Sequence, residues 1–342
     1  MKTKRTIIIA EAGVNHNGNI DLAFQLIDAA ANAGVDYVKF QTFKTDLIVD
    51  KSAKKADYQV TSGAANETQY DMIKKLELSY DDFDALRAYC NKRGVKFCTT
   101  AADLKSLDVV KAYDMDFIKI GSGEITNAIY LKKVSEIGKP VLLSTGMANL
   151  SEIEFAISIL TSGSVDRSQV TVLHCNTEYP TPFEDVNLAA MNTIGNAFKV
   201  PVGYSDHTLG IEVPIAAIAM GAKVIEKHYT LDKNMDGPDH AASLDPLELK
   251  MMCRAIRNVE QAMKGSGIKL PSPSEKKNMN IVRKSIYSLT SIKKGEVFTE
   301  FNTIGKRPGD GISMSRVLEI FGRRAACDIE EGEKLKEAHI VW

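Results

Sequence analysis

The 342-residue sequence predicts an α/β chain, a TIM (β/α)8 barrel followed by a small β-rich module. Three observations predict it. Short β-branched runs alternate strictly with amphipathic helical stretches over the first three quarters of the chain, which implies a parallel sheet with helices outside. There are eight such runs, the number that closes a barrel. The dinucleotide-type glycine fingerprint that often accompanies an open doubly wound sheet, the alternative, is missing.

The runs, in order, are TIIIAEAG, YVKFQTF, KFCTTAA, FIKIGSG, PVLLSTG, VTVLHCN, PVGYSDH and VIEKHYT. Between them lie helix-like stretches such as LAFQLIDAAANAG, DDFDALRAYCNKRG, LSEIEFAISILTSG and LELKMMCRAIRNVEQAM. One connection is unusually long. From Lys44 to about Tyr70 the chain is polar, with Lys51, Lys54, Lys55 and Tyr58, and it reads as a lid. Beyond the last helix, KGSGIKLPSPSEKK reads as a linker. The expected division is therefore a catalytic barrel over 1–264, a linker over 265–282 and a module over 283–342. The module carries an internal echo, Ile292 to Glu296 around Gly295 and Ile329 to Glu333 around Gly332, each a turn between short apolar runs. It is too small for an extensive core of its own.

Composition narrows the function. With a formal net charge of −1, nothing global points to nucleic acid or an anionic membrane, so an anionic substrate must be held by local cations. Five scattered cysteines match neither a disulfide framework nor a zinc spacing. The N-terminal MKTKRTIIIAEAGVNHNG is too short and too polar for a signal peptide, and no run approaches a membrane span. The expected location is the cytoplasm.

Strand side chains alternate, so residues two apart share a face. That parity groups Ile9, Glu11 and Gly13 on the first strand, Lys39 and Gln41 on the second, and Lys119 and Gly121 on the fourth. It adds Ser144 on the fifth, His174 and Asn176 on the sixth, Ser205 and His207 on the seventh, and Glu226 and His228 on the eighth. The opposite faces carry Ile8, Val38, Phe40, Ile118, Ile120, Leu143, Leu173, Val202 and Ile225, as helix-covered positions should. The polar face therefore points inward, and the barrel mouth is expected to be a charged pocket.

His207 and His228 end adjacent strands, roughly 5 Å apart by strand spacing. Two imidazoles so placed can share a divalent cation and leave positions open for substrate and water. With Asp206, Glu226 and Asp239 nearby and no cysteine on that face, Mn²⁺ or Mg²⁺ in a catalytic role is expected rather than structural zinc. His174 is a possible third ligand or a supporting group; His16 reads as a loop hydrogen-bonder and His339 as a surface residue. Lys39 and Lys119, with Ser122 and Ser144, read as a cradle for phosphate and carboxylate, to which the GSGE and STGM turns can add backbone N–H groups. A Schiff-base lysine stays open as the alternative.

These residues also carry a resemblance. AEAGVNHNG, VKFQTF, KIGSGE, LSTGM, HCNTEYPTPFEDVNL, GYSDHT, IEKHYTLDKNMDGPDHAASL and KRPGDGIS closely resemble the N-acetylneuraminate (sialic acid) synthase family, which includes legionaminic and pseudaminic acid synthases. The match runs almost end to end and includes a C-terminal antifreeze-like (SAF) module. It implies a TIM barrel, a divalent metal, usually Mn²⁺, held by His207 and His228, and no other cofactor. It implies that phosphoenolpyruvate, held by Lys39, Gln41, Lys119, Ser122, Ser144, Asn176 and Ser205, attacks the aldehyde of an N-acetylmannosamine-type sugar. Some family members place the asparagine one residue later than Asn176. Glu11 would be the acid/base, and Tyr179 and Asp239 would line the sugar site. Arg307 would enter from the module of the partner in a domain-swapped homodimer.

The expected activity is that of a sialic acid synthase making N-acetylneuraminate and phosphate. A legionaminic or pseudaminic acid synthase using a 2,4-diacetamido-trideoxy-hexose is the nearest alternative. A non-catalytic carbohydrate-binding protein is the alternative of another class, and the intact inward set of Glu11, Lys39, Lys119, His207 and His228 argues against it.

Overall fold

The computed structural model describes residues 5–55 and 67–342. Eight parallel strands close a barrel in chain order: β1 (Ile7–Gly13), β2 (Tyr37–Thr42), β3 (Lys96–Ala101), β4 (Ile118–Ile120), β5 (Val141–Ser144), β6 (Val170–His174), β7 (Val202–Asp206) and β8 (Val224–His228). Helices α1 (Ile20–Ala33), α2 (Thr45–Ile48), α3 (Gln69–Lys75), α4 (Tyr80–Arg93), α5 (Leu104–Val110) and α6 (Ala128–Ile137) lie along the first half. α7 (Leu150–Thr161), α8 (Ala189–Phe198), α9 (Glu212–Ala219) and α10 (Pro246–Ala262) complete the ring.

Local chemistry sets the helix ends. Ser79, Asn149 and Asp245 begin α4, α7 and α10, each in a reciprocal capping box with the acid three residues on. Gly34 and Gly94 end α1 and α4 in the left-handed conformation that glycine adopts without penalty. Ile8, Val38, Phe40, Ile118, Ile120, Leu143 and Ile225 are buried in one continuous core with the helices. At the barrel floor, a Cβ on Gly203 would lie 2.5 Å from the Val224 carbonyl oxygen and 2.6 Å from Leu173 Cδ2, so only glycine fits.

The long connection after β2 is tied down at its base. Glu77 accepts from the Thr45 N–H and hydroxyl, both at 2.9 Å, and from the Lys44 and Lys74 ammonium groups, both at 3.0 Å. Lys55 pairs with Glu67 at 2.5 Å. Tyr58 and the middle of the expected lid lie outside the described residues.

The chain divides into two compact units, one ending at Lys264 and one running from Gly265 to Trp342. The second has a small core of its own, built on Ile286, Ile292, Phe298, Ile320, Ile329 and Ile340 among others. Two short antiparallel pairs frame it: β9 (Ser285–Ser288) with β10 (Thr303–Lys306), and β11 (Arg324–Ala325) with β12 (Ile340–Val341). The echo in the sequence has a structural counterpart, because Ile292 and Ile329 exchange backbone hydrogen bonds at 2.9 Å beside their glycine turns. The stretch read as a linker is partly helical: α11 (Pro273–Val282) starts with Ser272 as cap, Pro273 in the first turn and Glu275 closing the box. His339, expected at the surface, is buried in this unit, 3.8 Å from Glu333.

Candidate active site

The C-terminal ends of the barrel strands enclose a cavity of about 470 Å³. Its wall brings together Glu11, Lys39, Gln41, Lys119, Ser122 and Ser144 with Tyr179, Ser205, His207 and His228. The β1–β2 register shifts between Glu11 and Gly13, and Gly13 takes a φ of 51° there. This turns the strand end so that Glu11, Gln41 and His228 converge around the glycine.

A four-charge cluster forms the cavity's base. Lys39 Nζ lies 2.9 Å from Glu11 and 3.7 Å from Glu226, and Lys119 Nζ lies 3.2 Å from Glu226. Lys39 also donates to Thr100 Oγ1 at 3.2 Å, Gln41 to Glu11 at 3.1 Å, and Ser205 to Glu226 at 3.1 Å. The two carboxyls diverge. Burial pushes Glu11 up to about 7, a rise that Lys39 only partly offsets and the Glu226 charge adds to. Burial also works on Glu226, but Lys119 and then Lys39 overcome it and hold the group down at about 2. Glu226 is therefore held as an anion between the lysines, whereas Glu11 changes charge near neutrality.

Several buried polar atoms lining this cavity lack a partner among the described residues: Glu11 Oε2, Glu226 Oε2, Ser144 Oγ and His228 Nδ1. Unsatisfied groups gathered around one cavity mark a place built for a polar ligand. Ser122 Oγ accepts from the Gly146 N–H at 2.9 Å and touches Cys175 Sγ at 3.3 Å, tying the β4, β5 and β6 ends together.

The His207 and His228 rings are 5.3 Å apart, inclined by 58°. Burial pushes His207 down to about 4 and His228 well below the ordinary imidazole range, so both are neutral, the form that binds metals. His207 Nδ1 is bonded to the Asn176 carbonyl, which places the proton there and leaves Nε2 as the free lone pair. The Tyr179 ring lies 4.1 Å from His207, tilted by 34°, and meets His228 edge-on at 5.6 Å. Asp239, pushed up to about 6 by burial, sits 3.7 Å from His228 Nδ1. Among the described residues, no group of three or more His, Cys, Asp or Glu side chains forms a cage. A divalent ion on the two imidazoles would thus complete its coordination with water and substrate oxygens, and the residues present fit one.

The sixth strand departs from the expected parity. Leu173, expected to face the helices, packs against the inner floor at Gly203, and Cys175 lines the catalytic cavity. His174 and Asn176 instead line an adjoining cavity of about 680 Å³ beside α7 and α8, which shares Met147, Cys175 and Thr177 with the first. His174 is thus no third ligand: its Nε2 is bonded to the Val186 carbonyl at 2.9 Å, and its ring packs on Tyr204. The Asn176 side chain accepts from the Glu178 N–H at 2.7 Å, while its backbone carbonyl holds His207. Thr177, one residue later, lines the catalytic cavity. Asp206 faces away from His207 and His228 and pairs with Lys227. His16 accepts from the Gly18 N–H at 3.1 Å in its loop. Arg307 is exposed in the second unit, its Nε donating to the Val282 carbonyl at 3.0 Å. Sequence reasoning left Glu226 without a role of its own and passed over Thr100 and Cys175; strand parity on β3 was the available signal for Thr100.

The model of the NeuB family matches residues 26–269, and that of the SAF domain matches residues 283–341. The chain belongs to the NeuB family. It is a transferase of the N-acetylneuraminate synthase type. The N,N'-diacetyllegionaminic acid synthase of Campylobacter jejuni subsp. jejuni serotype O:2 is 52% identical over 98% of this chain and 100% of that protein. The enzyme of the same name from Legionella pneumophila is 44% identical over 97% of this chain and 94% of that protein. A crystal structure of the N-acetylneuraminic acid (sialic acid) synthetase of Leptospira borgpetersenii serovar Hardjo-bovis, in complex with citrate, shares 33% identity at a TM-score of 0.70. The match covers 80% of this chain and 90% of that one. Likeness to sialic acid synthases therefore holds at the level of the family, and the two higher identities favour the legionaminate alternative over the N-acetylneuraminate reading.

Proposed function

We propose that this enzyme condenses phosphoenolpyruvate with a 2,4-diacetamido-2,4,6-trideoxy-hexose to give N,N'-diacetyllegionaminic acid and phosphate. The observation that carries this reading is the identity of 52% and 44%, along nearly the whole chain, to two synthases of that name.

The geometry supports the reaction class. Lys39 and Lys119, offset by Glu226 until an anion arrives, would hold phosphoenolpyruvate together with Ser122, Ser144 and Ser205. C3 of phosphoenolpyruvate attacks the sugar aldehyde carbon, forming the C–C bond. Water then adds to C2, and the tetrahedral carbon expels phosphate. Glu11, holding a proton near pH 7 beside Lys39, is placed to manage protons or to stabilise positive character at C2. His207 and His228 would hold Mn²⁺, or Mg²⁺ in its place, which when bound supplies a Lewis acid for the aldehyde oxygen. Tyr179 and Asp239 beside these histidines would line the sugar site.

No helix among the described residues is long and apolar enough to cross a membrane. We assign the enzyme to the cytoplasm as a domain-swapped homodimer, with Arg307 of each SAF unit serving the partner's barrel; the family resemblance supports this arrangement.

Phosphate release from phosphoenolpyruvate with a panel of sugars tests the activity. The diacetamido-trideoxy-hexose should exceed N-acetylmannosamine in kcat/KM by at least about tenfold, the scale of one well-used contact. Equal or better use of N-acetylmannosamine would return the enzyme to N-acetylneuraminate synthesis. No release with any sugar would favour a binding protein.

A further inference from the structure

On the helix-facing side of the barrel, which is mainly apolar, β7 and β8 carry an ion pair. Asp206 and Lys227 are paired in register across these strands, and both are completely buried. Lys227 Nζ donates to Asp206 Oδ2 and also to the Thr208 carbonyl oxygen. Asp206 in turn accepts from the Thr208 N–H at 3.1 Å and from its hydroxyl at 3.0 Å.

Chain order gives this knot its meaning. Asp206 and Thr208 flank His207, and Lys227 stands between Glu226 and His228. One ammonium thus grips the residues on both sides of His207 while its own neighbour is His228. Side-chain alternation sends the knot to the helix side and both histidines into the cavity. Burying two charges costs more than burying apolar side chains of similar size, and such pairs are best attested where they fix a particular arrangement. We infer that the Lys227–Asp206 pair is a positioning device that sets the separation and orientation of His207 and His228 for the ion they share. The inference rests on the reading of those histidines as metal ligands.

The test measures Mn²⁺ affinity of the metal-free full-length protein, by electron paramagnetic resonance of free Mn²⁺ and by calorimetry. Lys227→Met and Lys227→Met/Asp206→Leu should each bind Mn²⁺ about 10- to 100-fold more weakly, the usual effect of removing a group that orients a ligand. The double variant removes both charges and should stay folded by circular dichroism; the isosteric Asp206→Asn serves as a further folded variant. Leu86→Ala, in the barrel core on α4 beside β2 and β3, lowers stability generally and should leave Mn²⁺ affinity unchanged. Wild-type affinity in the folded knot variants, with His207→Ala binding weakly, would overturn the inference alone. Wild-type affinity in His207→Ala would remove the metal site and the inference together.

Discussion

The ammonium of Lys39 and the carboxyl of Glu11 lie 2.9 Å apart at the centre of the barrel, both almost sealed from solvent. Lys39 touches Glu226 as well, and of the two carboxyls only Glu226 is firmly ionised. The cluster therefore carries two lysine charges against one permanent carboxylate and one that appears near neutrality.

This relationship predicts a pH dependence. Below about 7 Glu11 keeps its proton, and Lys39 is free to meet an anion; above it, ionised Glu11 competes for the same ammonium. Phosphoenolpyruvate binding should weaken by up to about tenfold per pH unit above that point. Glu11→Gln should lack this component, and subtracting its calorimetric profile cancels the ligand's own titration. Parallel wild-type and variant profiles would refute the assignment.

The same shift affects stability. Between the ordinary 4.5 and about 7, folded Glu11 binds more protons than unfolded Glu11, so its contribution to stability falls as pH rises through that window. Glu226, at about 2, acts oppositely, gaining stability from about 2 to 4.5 and holding it above. Urea midpoints between pH 5 and 7 should therefore decline more steeply for wild type than for Glu11→Gln.

Lys119→Met removes one arm of the anion cradle and leaves Glu226 with the more distant Lys39. The KM for phosphoenolpyruvate should rise at least about tenfold, in line with a charge-assisted contact, while the KM for sugar changes little. Borohydride trapping of a substrate adduct on Lys39 or Lys119 would instead establish a Schiff base.

Chelation with EDTA should abolish turnover, and Mn²⁺ should restore it. His207→Ala and His228→Ala should each be inactive yet folded, because both residues sit at the functional end of the barrel. Full turnover of chelated wild type would exclude the metal role.

The proposed swapped dimer makes a stoichiometric prediction. Arg307→Ala is crippled in the SAF unit and His207→Ala in the barrel, so each alone should be inactive or nearly so. In a mixed dimer with composite sites, one site combines both defects and the other has neither. Co-expression at equal levels should recover roughly a quarter of all sites if pairing is random. Mixed dimers without activity would show that Arg307 does not act across the interface.

The barrel was legible because alternation of strand and helix is a long-range pattern that no single residue can blur. Parity read the cavity well on strands where inward residues are polar and outward ones aliphatic, as with Glu11, Lys39 and Lys119. It failed on β6 because polarity there points the wrong way. His174 and Asn176 look like cavity residues, but loop groups satisfy them: the Val186 carbonyl for one and the Glu178 N–H for the other. Cys175, the less polar neighbour, takes the inward place. The Lys227–Asp206 knot escaped notice for the converse reason, since charges are not expected beneath helices. Helix α11 was hidden by a Pro, Ser and Lys-rich composition, although Ser272, Pro273 and Glu275 spell a helix start. The acceptor sugar could not be read from cavity residues, because small polar groups contact acetamido and hydroxyl substituents alike.

The clasp of Glu77 on Lys44 and Thr45 has an evolutionary consequence. It brings the two ends of a thirty-odd-residue excursion together where the chain leaves β2, so residues inserted or deleted between them do not pull on Lys39 or Gln41. Changes of chain length between these residues are therefore expected to leave the geometry of the catalytic end undisturbed, because the clasp separates the two.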